Sequence, residues 1–155
     1  MPDGFDTAAI LKLDNVDAVI KESLRLSPPI LLTERRLACD RTVAGFPLRA
    51  GTLVRPCQYL THRDPAIFAD PARFDPSRFR KRQPTVYEYY PFGGGTRTCL
   101  GLSYSLVQMR VLVAAVLSRV ELNLAAEPTR ATRRIGALVA PAHGTPVLAA
   151  PNDVR

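Results

Sequence analysis

The residues best suited to chemistry lie in a glycine-rich loop from Phe92 to Gly101, which reads FGGGTRTCLG. Three consecutive glycines permit left-handed or tightly bulged backbone conformations. Cys99 lies just before a predicted helix, whose free amides and positive dipole end favour a thiolate over a thiol. A thiolate on such a loop can approach a flat cofactor, and Arg97 offers a charged fork for a carboxylate. A glycine turn followed by an inert, buried cysteine explains this loop, taken by itself, about equally well.

The remaining cysteines and histidines do not indicate a second metal site. Cys39, Cys57 and Cys99 are widely spaced and include no CxxC pair, which argues against a disulfide framework or a structural zinc site. With only His62 and His143 available, a Cys/His metal cage is nearly excluded. The chemistry of the sequence therefore centres on Cys99.

The elements that must position this loop begin with an amphipathic helix. The apolar residues from Leu13 to Leu24 follow helical spacing, with Asp14 or Asn15 placed to cap the start, and the helix is expected to stop before Pro28. Short strands are then predicted in an antiparallel meander, at Ile30–Leu32, Thr42–Val43 and Thr52–Val54. Residues 64–83 alternate prolines with phenylalanines, which predicts an ordered coil with one short helix near Pro65–Ala69.

Beyond the loop, Leu102 to Arg119 is predicted to be a helix with apolar residues on almost every side. A helix without a polar face belongs in the middle of a protein, so this chain is expected to dimerise or to be part of something larger. Strands are predicted over Val120–Leu124, Ile135–Ala140 and Thr145–Ala149, with a turn over 141–144.

Composition places the chain among globular proteins. Its 155 residues are 46% hydrophobic and 23% charged, which excludes disorder and collagen-like repeats. The formal charge is +7, which favours acidic partners or solubility. The longest apolar run, Val111–Leu117, is far shorter than the ~20 residues that span a bilayer, and Met1–Gly4 does not resemble a secretory signal. We therefore expect a cytoplasmic protein without a membrane segment in this chain, and leave open an N-terminal anchor before residue 1.

Several motifs resemble those of one family. Phe92, Gly95, Arg97, Cys99 and Gly101 match Phe-x-x-Gly-x-Arg-x-Cys-x-Gly, which closely resembles the haem-ligand signature of the cytochrome P450 family, the haem-thiolate monooxygenases. Upstream, the sequences ESLR (22–25) and PSRF (76–79) resemble the Glu-x-x-Arg of the K helix and the Pro-x-Arg-Phe of the meander. The sequence HRDP (62–65) also resembles the stretch between them. The resemblance extends from about residue 13 to the end of the chain.

The resemblance implies a fold that is mainly α with small antiparallel β-sheets, namely the C-terminal part of a single cytochrome P450 domain spanning 1–155. Its segments would be the K helix region (12–27), a small β-sheet (28–60), the meander (61–91), the haem-ligand loop (92–101), the L helix (102–119) and C-terminal strands (120–150). The family's oxygen-side I helix has no counterpart, because no Ala-Gly-x-x-Thr stretch occurs in the sequence.

The resemblance also implies a cofactor, haem b, with Cys99 as its axial thiolate ligand. Phe92 and Gly101 would lie beside the haem, although ordinary core packing explains Phe92 as well. Arg97 resembles one haem-propionate ligand and Arg35 a second, but the arginine adjacent to Arg35 leaves that assignment open. Without a haem, these arginines would simply be solvated.

A structural triad is implied as well. Glu22 and Arg25 lie three residues apart on one helix face and can pair. As an isolated surface pair they would contribute under ~1 kcal/mol. The resemblance implies that Arg78 joins them in a buried network that holds the meander, and with it the cysteine loop, against the core.

By resemblance, the intact enzyme would insert one oxygen atom of O2 into a hydrophobic organic substrate. Two apolar segments resemble substrate-lining regions of the family: Ile30, Leu31 and Leu32, and Ala137 and Leu138. The electron donor would be a ferredoxin or a flavin-containing reductase. Several basic residues would form a surface that suits an acidic electron donor, namely Arg80, Lys81, Arg82, Arg97 and Arg110. A general solubilising role explains these charges equally well.

Two other classes of function remain open at this point. Because the I helix is missing, the chain is alternatively a non-catalytic, truncated gene remnant that binds haem weakly or not at all. A nucleic-acid-binding protein is disfavoured, because the sequence shows neither aromatic–basic interleaving nor a helix-turn-helix pattern. We expect that these residues alone are not a competent monooxygenase and that they are poorly folded or aggregation-prone.

Overall fold

The computed structural model describes residues 13–125 and 132–151. In these ranges, two longer helices alternate with short antiparallel strand pairs and with well-ordered coil. The helices are α1 (Asp14–Leu26), α2 (Gln58–Thr61), α3 (Arg78–Lys81) and α4 (Leu102–Leu117), with a 3-10 turn at Gly95–Arg97. The strands are β1 (Arg35–Arg36), β2 (Arg41–Val43), β3 (Phe46–Leu48), β4 (Leu53–Val54), β5 (Val120–Leu124), β6 (Thr132–Ile135), β7 (Leu138–Pro141) and β8 (Val147–Pro151).

Helix α1 forms as predicted but begins differently. Its N-cap residue is Leu13, which makes no side-chain cap hydrogen bond. The prediction that Asp14 or Asn15 caps the helix is therefore wrong. Asp14 and Asp17 instead lie in the first turn, where negative charge is favoured by the helix dipole. The helix ends at Leu26, ahead of the proline pair, as the sequence indicates.

The strands between α1 and α2 form two separate pairs rather than one meander. Strand β1 pairs with β4, and this pair encloses the β2–β3 hairpin. The predicted strand at Ile30–Leu32 is wrong. The Leu31 carbonyl accepts from the Tyr59 amide at 3.1 Å, and the Thr33 amide donates to Pro56 at 3.0 Å. Because Pro56 has no amide to donate back to Thr33, the pairing of these two residues does not continue as a ladder.

Residues 62–77 are mostly turns that lead into α3, and the helix predicted near Pro65–Ala69 is wrong. The Asp64 carbonyl accepts from the Phe68 amide at 2.9 Å, and the Asp64 side chain accepts from the Ala66 amide at 2.9 Å. Asp64 accepts both bonds, and no bond of a following helical turn continues from them in the described residues, so a single turn forms here instead of a helix. These turns place Phe68 in a small core with Ala18 and Phe79. The core holds the meander against α1.

The C-terminal strands form two antiparallel pairs, β5 with β8 and β6 with β7. The single strand predicted over Ile135–Ala140 is wrong, because a two-residue turn divides it. Gly136 lies in that turn with φ +61°, a conformation that β-carbon-bearing residues rarely adopt. The turn places Leu138 at the start of β7, next to the hairpin's end.

The described residues leave helix α4 largely uncovered. None of its 16 residues is buried within the described part of the chain, and Leu112 and Val116 are 55% and 43% exposed. It contacts α1, where Arg110 binds Asp17, but the described residues do not enclose its apolar surface. A helix of this composition belongs in the middle of a protein, and the described residues do not supply that cover, in line with the expectation that the chain dimerises or is part of something larger. Among the described residues, no helix has the length and apolar character to cross a membrane.

The exposed surface of α4 predicts self-association of this chain. Leu112 and Val116 lie one turn apart, and burying such side chains contributes ~1.5–3 kcal/mol each. We expect the chain to sediment as oligomers or aggregates, and the double variant Leu112→Gln/Val116→Gln to shift it toward monomer. Val86→Gln is the matched control, because Val86 is 71% exposed but lies far from α4 in the sequence. A wild-type chain that sediments as a monomer at every concentration examined would contradict this expectation.

Candidate functional site

The cysteine loop is closed by its own backbone. The Cys99 amide donates to the Phe92 carbonyl at 2.9 Å, and the Gly93 amide donates to the Tyr90 carbonyl at 2.9 Å. Gly93 and Gly95 adopt φ values of +74° and +68°, so these turns require glycine. The main-chain hydrogen bond between Cys99 and Phe92 therefore closes the loop and fixes the backbone position of Cys99.

The thiol of Cys99 lies at the start of α4. Gly101 is the N-cap residue of that helix, and a β-carbon built on Gly101 would lie 3.8 Å from the Cys99 sulfur. Cys99 is exposed, as is the adjacent Leu100. An accessible sulfur on an open glycine loop suits the ligation of a metal in a flat macrocycle such as haem.

The other two cysteines lie in different surroundings. The Cys57 sulfur donates to the Leu31 carbonyl at 3.5 Å, and the residue is half-buried. Cys39 is exposed in the bend between β1 and β2. Neither cysteine precedes a helix of more than one turn, so in the described structure Cys99 alone among the three cysteines combines exposure with the start of a long helix.

Two arginines predicted to bind haem propionates are exposed, and they lie on different elements. Arg97 ends the 3-10 turn of the cysteine loop. Arg35 lies in β1, where its guanidinium donates to the Glu34 carbonyl at 2.8 Å. The segment before β1 approaches the loop, because a β-carbon built on Gly93 would lie 3.8 Å from the Thr33 methyl carbon. Arg35 thus lies two residues from a segment that packs against the loop.

The two predicted substrate-lining segments adjoin each other. The Val139 amide donates to the Pro29 carbonyl at 2.7 Å, which joins the residue before Ile30 to the residue after Leu138. Ile30, Leu32 and Leu138 are 37%, 42% and 47% exposed. Leu31 is half-buried and Ala137 is exposed. This hydrogen bond brings the two segments together, and most of their predicted substrate-lining side chains are exposed.

Glu22 and Arg25 form a fully buried ion pair on α1. Both side chains are 0% exposed, and the guanidinium binds the carboxylate through two bonds of 2.7 and 2.8 Å. The same carboxylate accepts from the Asp75 amide at 2.8 Å and from Arg78 Nε at 3.1 Å. The structure thus brings the three predicted residues Glu22, Arg25 and Arg78 together and links them to the meander backbone.

The two arginines of this network are also bonded to main-chain carbonyls. Arg25 donates to the carbonyls of His62, Pro71 and Arg73, at 2.7, 2.8 and 3.1 Å. Together with the two bonds to Glu22, this uses all five of its N–H donors. Arg78 donates to Ala69 and Arg73, at 3.0 and 3.3 Å. A buried charge is tolerated only when its hydrogen-bonding groups are satisfied, and here they are.

Sequence reasoning missed the role of His62. Its side chain is 0% exposed, and its Nε2 accepts from the Tyr90 amide at 3.0 Å. Burial and the nearby cation Arg25 lower the pKa of His62 from 6.5 to about 4. The imidazole is therefore neutral near pH 7. The HRDP stretch draws attention to His62, but nothing local in the sequence indicates a partner 28 residues away.

This neutral imidazole predicts a loss of stability in acid. Unfolded His62 takes up a proton as the pH falls through 6.5, whereas the folded residue does so only near pH 4. Between these values the unfolded state binds more protons, so stability falls by at most about 1.4 kcal/mol per pH unit. The free energy of unfolding, measured with urea at several pH values in this range, should depend less steeply on pH for His62→Gln than for wild type. His143→Gln, at an exposed site, should show the pH dependence of wild type. Equal slopes for His62→Gln and wild type would refute the assignment.

Several cations predicted to form a basic surface are already paired. Arg110 binds Asp17, and Arg82 binds Glu88. Despite the opposing effect of burial, hydrogen bonds from Lys21 and Arg110 lower the pKa of Asp17 below its usual range. Arg80 donates to the amide oxygen of Asn15 at 3.0 Å and so keeps its net charge. The positive charge available to a partner is therefore smaller than the sequence suggests.

Comparisons with known proteins agree on one family. The family model described as Cytochrome P450 matches residues 3–145. A Mycobacterium tuberculosis protein designated cytochrome P450 135B1 is 42% identical over 108 residues, covering 70% of this chain and 23% of the relative. Human cytochrome P450 3A7 is 33% identical over 135 residues, covering 85% of this chain and 26% of that protein. The chain thus spans about a quarter of the length of these relatives.

A solved structure shows the same fold. The structure titled retinoic acid bound cyanobacterial CYP120A1 matches with a TM-score of 0.83 and 28% sequence identity. The match covers 94% of this chain and 35% of that chain. It confirms the predicted fold class, in which small antiparallel sheets accompany the helices. By its family model, its relatives and its fold, the chain belongs to the cytochrome P450 family.

Proposed function

We propose that this chain is the haem-binding segment of a cytochrome P450 monooxygenase, with Cys99 as the thiolate ligand of the iron. The observation that carries the proposal is the setting of Cys99. Its sulfur lies beside Gly101 at the start of a 16-residue helix, and its amide is held by the Phe92 carbonyl. In this proposal α1 corresponds to the K helix, the coil with α3 to the meander, and α4 to the L helix.

When bound, the haem would supply the activation of dioxygen, and a thiolate ligand favours O–O cleavage by donating electron density. The residues of this chain would hold the cofactor. Cys99 would provide the ligand, Arg97 and Arg35 would pair with the propionates, and Phe92 and Gly101 would lie beside the macrocycle. The protein thus contributes binding, orientation and electrostatics, whereas the cofactor contributes the reaction.

The substrate would be a hydrophobic organic molecule. The adjoining segments around Ile30 and Leu138 offer exposed apolar side chains, and the hydrogen bond between Val139 and Pro29 holds them together. Small-molecule sites are lined predominantly by apolar side chains. Insertion of one oxygen atom of O2 into such a molecule is the reaction that the family implies.

The electron donor would be an acidic ferredoxin or a flavin-containing reductase. Arg97 and Lys81 are exposed cations on or near the cysteine loop in sequence, and Arg80 is exposed as well. Charge complementarity of this kind accelerates encounter more than it raises affinity. The free cysteines fit a reducing compartment, so the cytoplasm is the proposed location.

The experiment that tests this function is expression of the chain with excess haem. Retention of haem through gel filtration, with a thiolate-type carbon monoxide difference spectrum, supports the proposal. Haem that elutes separately from the chain contradicts it.

A second candidate is a chain that binds haem without oxidising a substrate. The exposed apolar surface of α4 favours it, because the described residues leave that helix uncovered. Donor-coupled, NADPH-driven turnover separates the two candidates: product formation supports the monooxygenase, and haem binding without product supports the non-catalytic chain.

A further inference from the structure

We propose that His62 is a positioning residue that ties the buried Glu22–Arg25 ion pair to the backbone at the entrance of the cysteine loop. The contacts of His62 on both sides carry this inference. Its consequence for the haem ligand rests on the function proposed above, whereas the mechanical link does not.

The first end of the link is the main chain of His62. Its carbonyl accepts from Arg25 Nη1 at 2.7 Å, and Arg25 is held in turn by Glu22. The second end is the imidazole, whose Nε2 accepts from the Tyr90 amide at 3.0 Å. One residue therefore contacts the ion pair with its backbone and the segment before the loop with its side chain.

The imidazole is held in one orientation by its neighbours. It stacks on Tyr89 with ring centroids 5.2 Å apart, and it meets Tyr90 and Phe68 edge-on at 5.4 and 6.4 Å. The preceding residue reinforces the contact, because the Thr61 and Tyr90 hydroxyl oxygens lie 2.7 Å apart. Tyr90 is thus hydrogen-bonded to His62 through its amide and to Thr61 through its hydroxyl.

Tyr90 passes this restraint to the loop. Its carbonyl accepts from the Gly93 amide at 2.9 Å, which closes the first turn of the loop. Within that turn, the Phe92 carbonyl accepts from the Cys99 amide at 2.9 Å. A shift of Tyr90 would therefore displace the turn that holds the main chain of Cys99.

The surroundings of His62 require the neutral imidazole. Nε2 accepts a hydrogen bond, so the proton is assigned to Nδ1. The charged groups that act on the ring are the cations Arg25 on α1 and Arg63 beside it in sequence, which disfavour a second proton. Nδ1 and the oxygen Oε1 of Gln58 are both buried without a partner in the described structure. These atoms are one donor and one acceptor on residues four apart in the sequence.

The test uses three substitutions that separate the acceptor from the ring. His62→Gln places an amide oxygen near the position of Nε2, His62→Asn places one near Nδ1, and His62→Phe keeps the ring without an acceptor. Hydrogen exchange of peptides that cover residues 86–99 is measured by mass spectrometry in the haem-free chain. We expect His62→Phe and His62→Asn to speed exchange of this segment by about fivefold to tenfold, as for loss of one hydrogen-bond acceptor. His62→Gln should stay within about twofold of wild type, because a neutral acceptor is restored.

Three outcomes would overturn the proposal. These are wild-type exchange in His62→Phe, equal acceleration in all three variants, and random-coil exchange of this segment in the wild-type chain. With haem bound, His62→Phe should lower the fraction of thiolate-type absorption and His62→Gln should preserve it. If the exchange pattern holds but the wild-type chain shows no thiolate absorption, the proposed function fails and the positioning role stands.

Discussion

Replacing Cys99 by alanine is expected to abolish the thiolate-type absorption of the haem-loaded chain completely. Within the described structure, Cys99 is the cysteine that combines exposure, a glycine loop and the N-terminus of a long helix. Without its sulfur, the loop has no donor of comparable basicity to offer the iron. Absorption spectra of the reduced, carbon monoxide-treated chain give the measurement.

The other cysteines provide matched controls. Cys39→Ala removes an exposed thiol between β1 and β2, and Cys57→Ala removes a half-buried thiol that donates to a carbonyl. Both variants should keep the thiolate-type absorption of wild type. If Cys99→Ala kept that absorption while Cys57→Ala lost it, the ligand would have been assigned to the wrong residue.

Breaking the buried ion pair is expected to remove haem incorporation rather than merely slow turnover. Glu22→Ala leaves the guanidinium of Arg25 buried without its carboxylate, and Arg25→Ala leaves the carboxylate without two of its donors. Removing one partner of such a pair costs on the order of 3–5 kcal/mol. A domain has only about 5–15 kcal/mol of stability in total, so the meander and the cysteine loop should loosen.

A surface pair on the same chain serves as the control for this prediction. Arg55 binds Glu34 at 2.8 Å, but their side chains are 57% and 46% exposed. Glu34→Ala should therefore change stability by less than ~1 kcal/mol. The measurements are haem content per chain and the midpoint of urea unfolding. If Glu22→Ala had the same haem content and the same urea midpoint as Glu34→Ala, the buried network would have no structural role.

The site could be read from the sequence where its residues are close together. The loop from Phe92 to Gly101 contains the glycines, the cysteine and the helix start in ten consecutive positions. Likewise, Glu22 and Arg25 lie one helical turn apart, so their pairing follows from helix geometry. Local spacing indicated both features, but it left alternatives open, and the resemblance to the family was needed to choose between them.

Contacts between distant residues could not be predicted in this way. The bond from Tyr90 to His62 spans 28 residues, and the carbonyls that satisfy Arg25 lie 37 to 48 residues away. Their positions depend on the turns between α2 and α3, which no periodic pattern describes. The failed strand at Ile30–Leu32 has a similar cause, because Pro56, which pairs with the adjacent Thr33, has no amide to extend a ladder.

For α4, the sequence predicts a need for apolar cover but not the source of that cover. Its composition indicates that apolar cover is favourable, but composition does not state whether the same chain supplies that cover. In the structure, Leu112 and Val116 remain exposed on a helix that has no buried residue. Hydrophobic pattern thus predicts what a helix requires, and only the structure shows what the chain provides.

The most direct test of the account is the vibrational signature of the bond between iron and sulfur. The double variant Cys39→Ser/Cys57→Ser leaves Cys99 as the chain's remaining cysteine, and it can be grown on natural or heavy-sulfur cysteine and loaded with haem. Resonance Raman spectra of the two samples should show an iron–sulfur stretching band that moves to lower frequency with the heavy isotope. Haem-loaded samples without any isotope-sensitive iron–sulfur band would contradict ligation by Cys99.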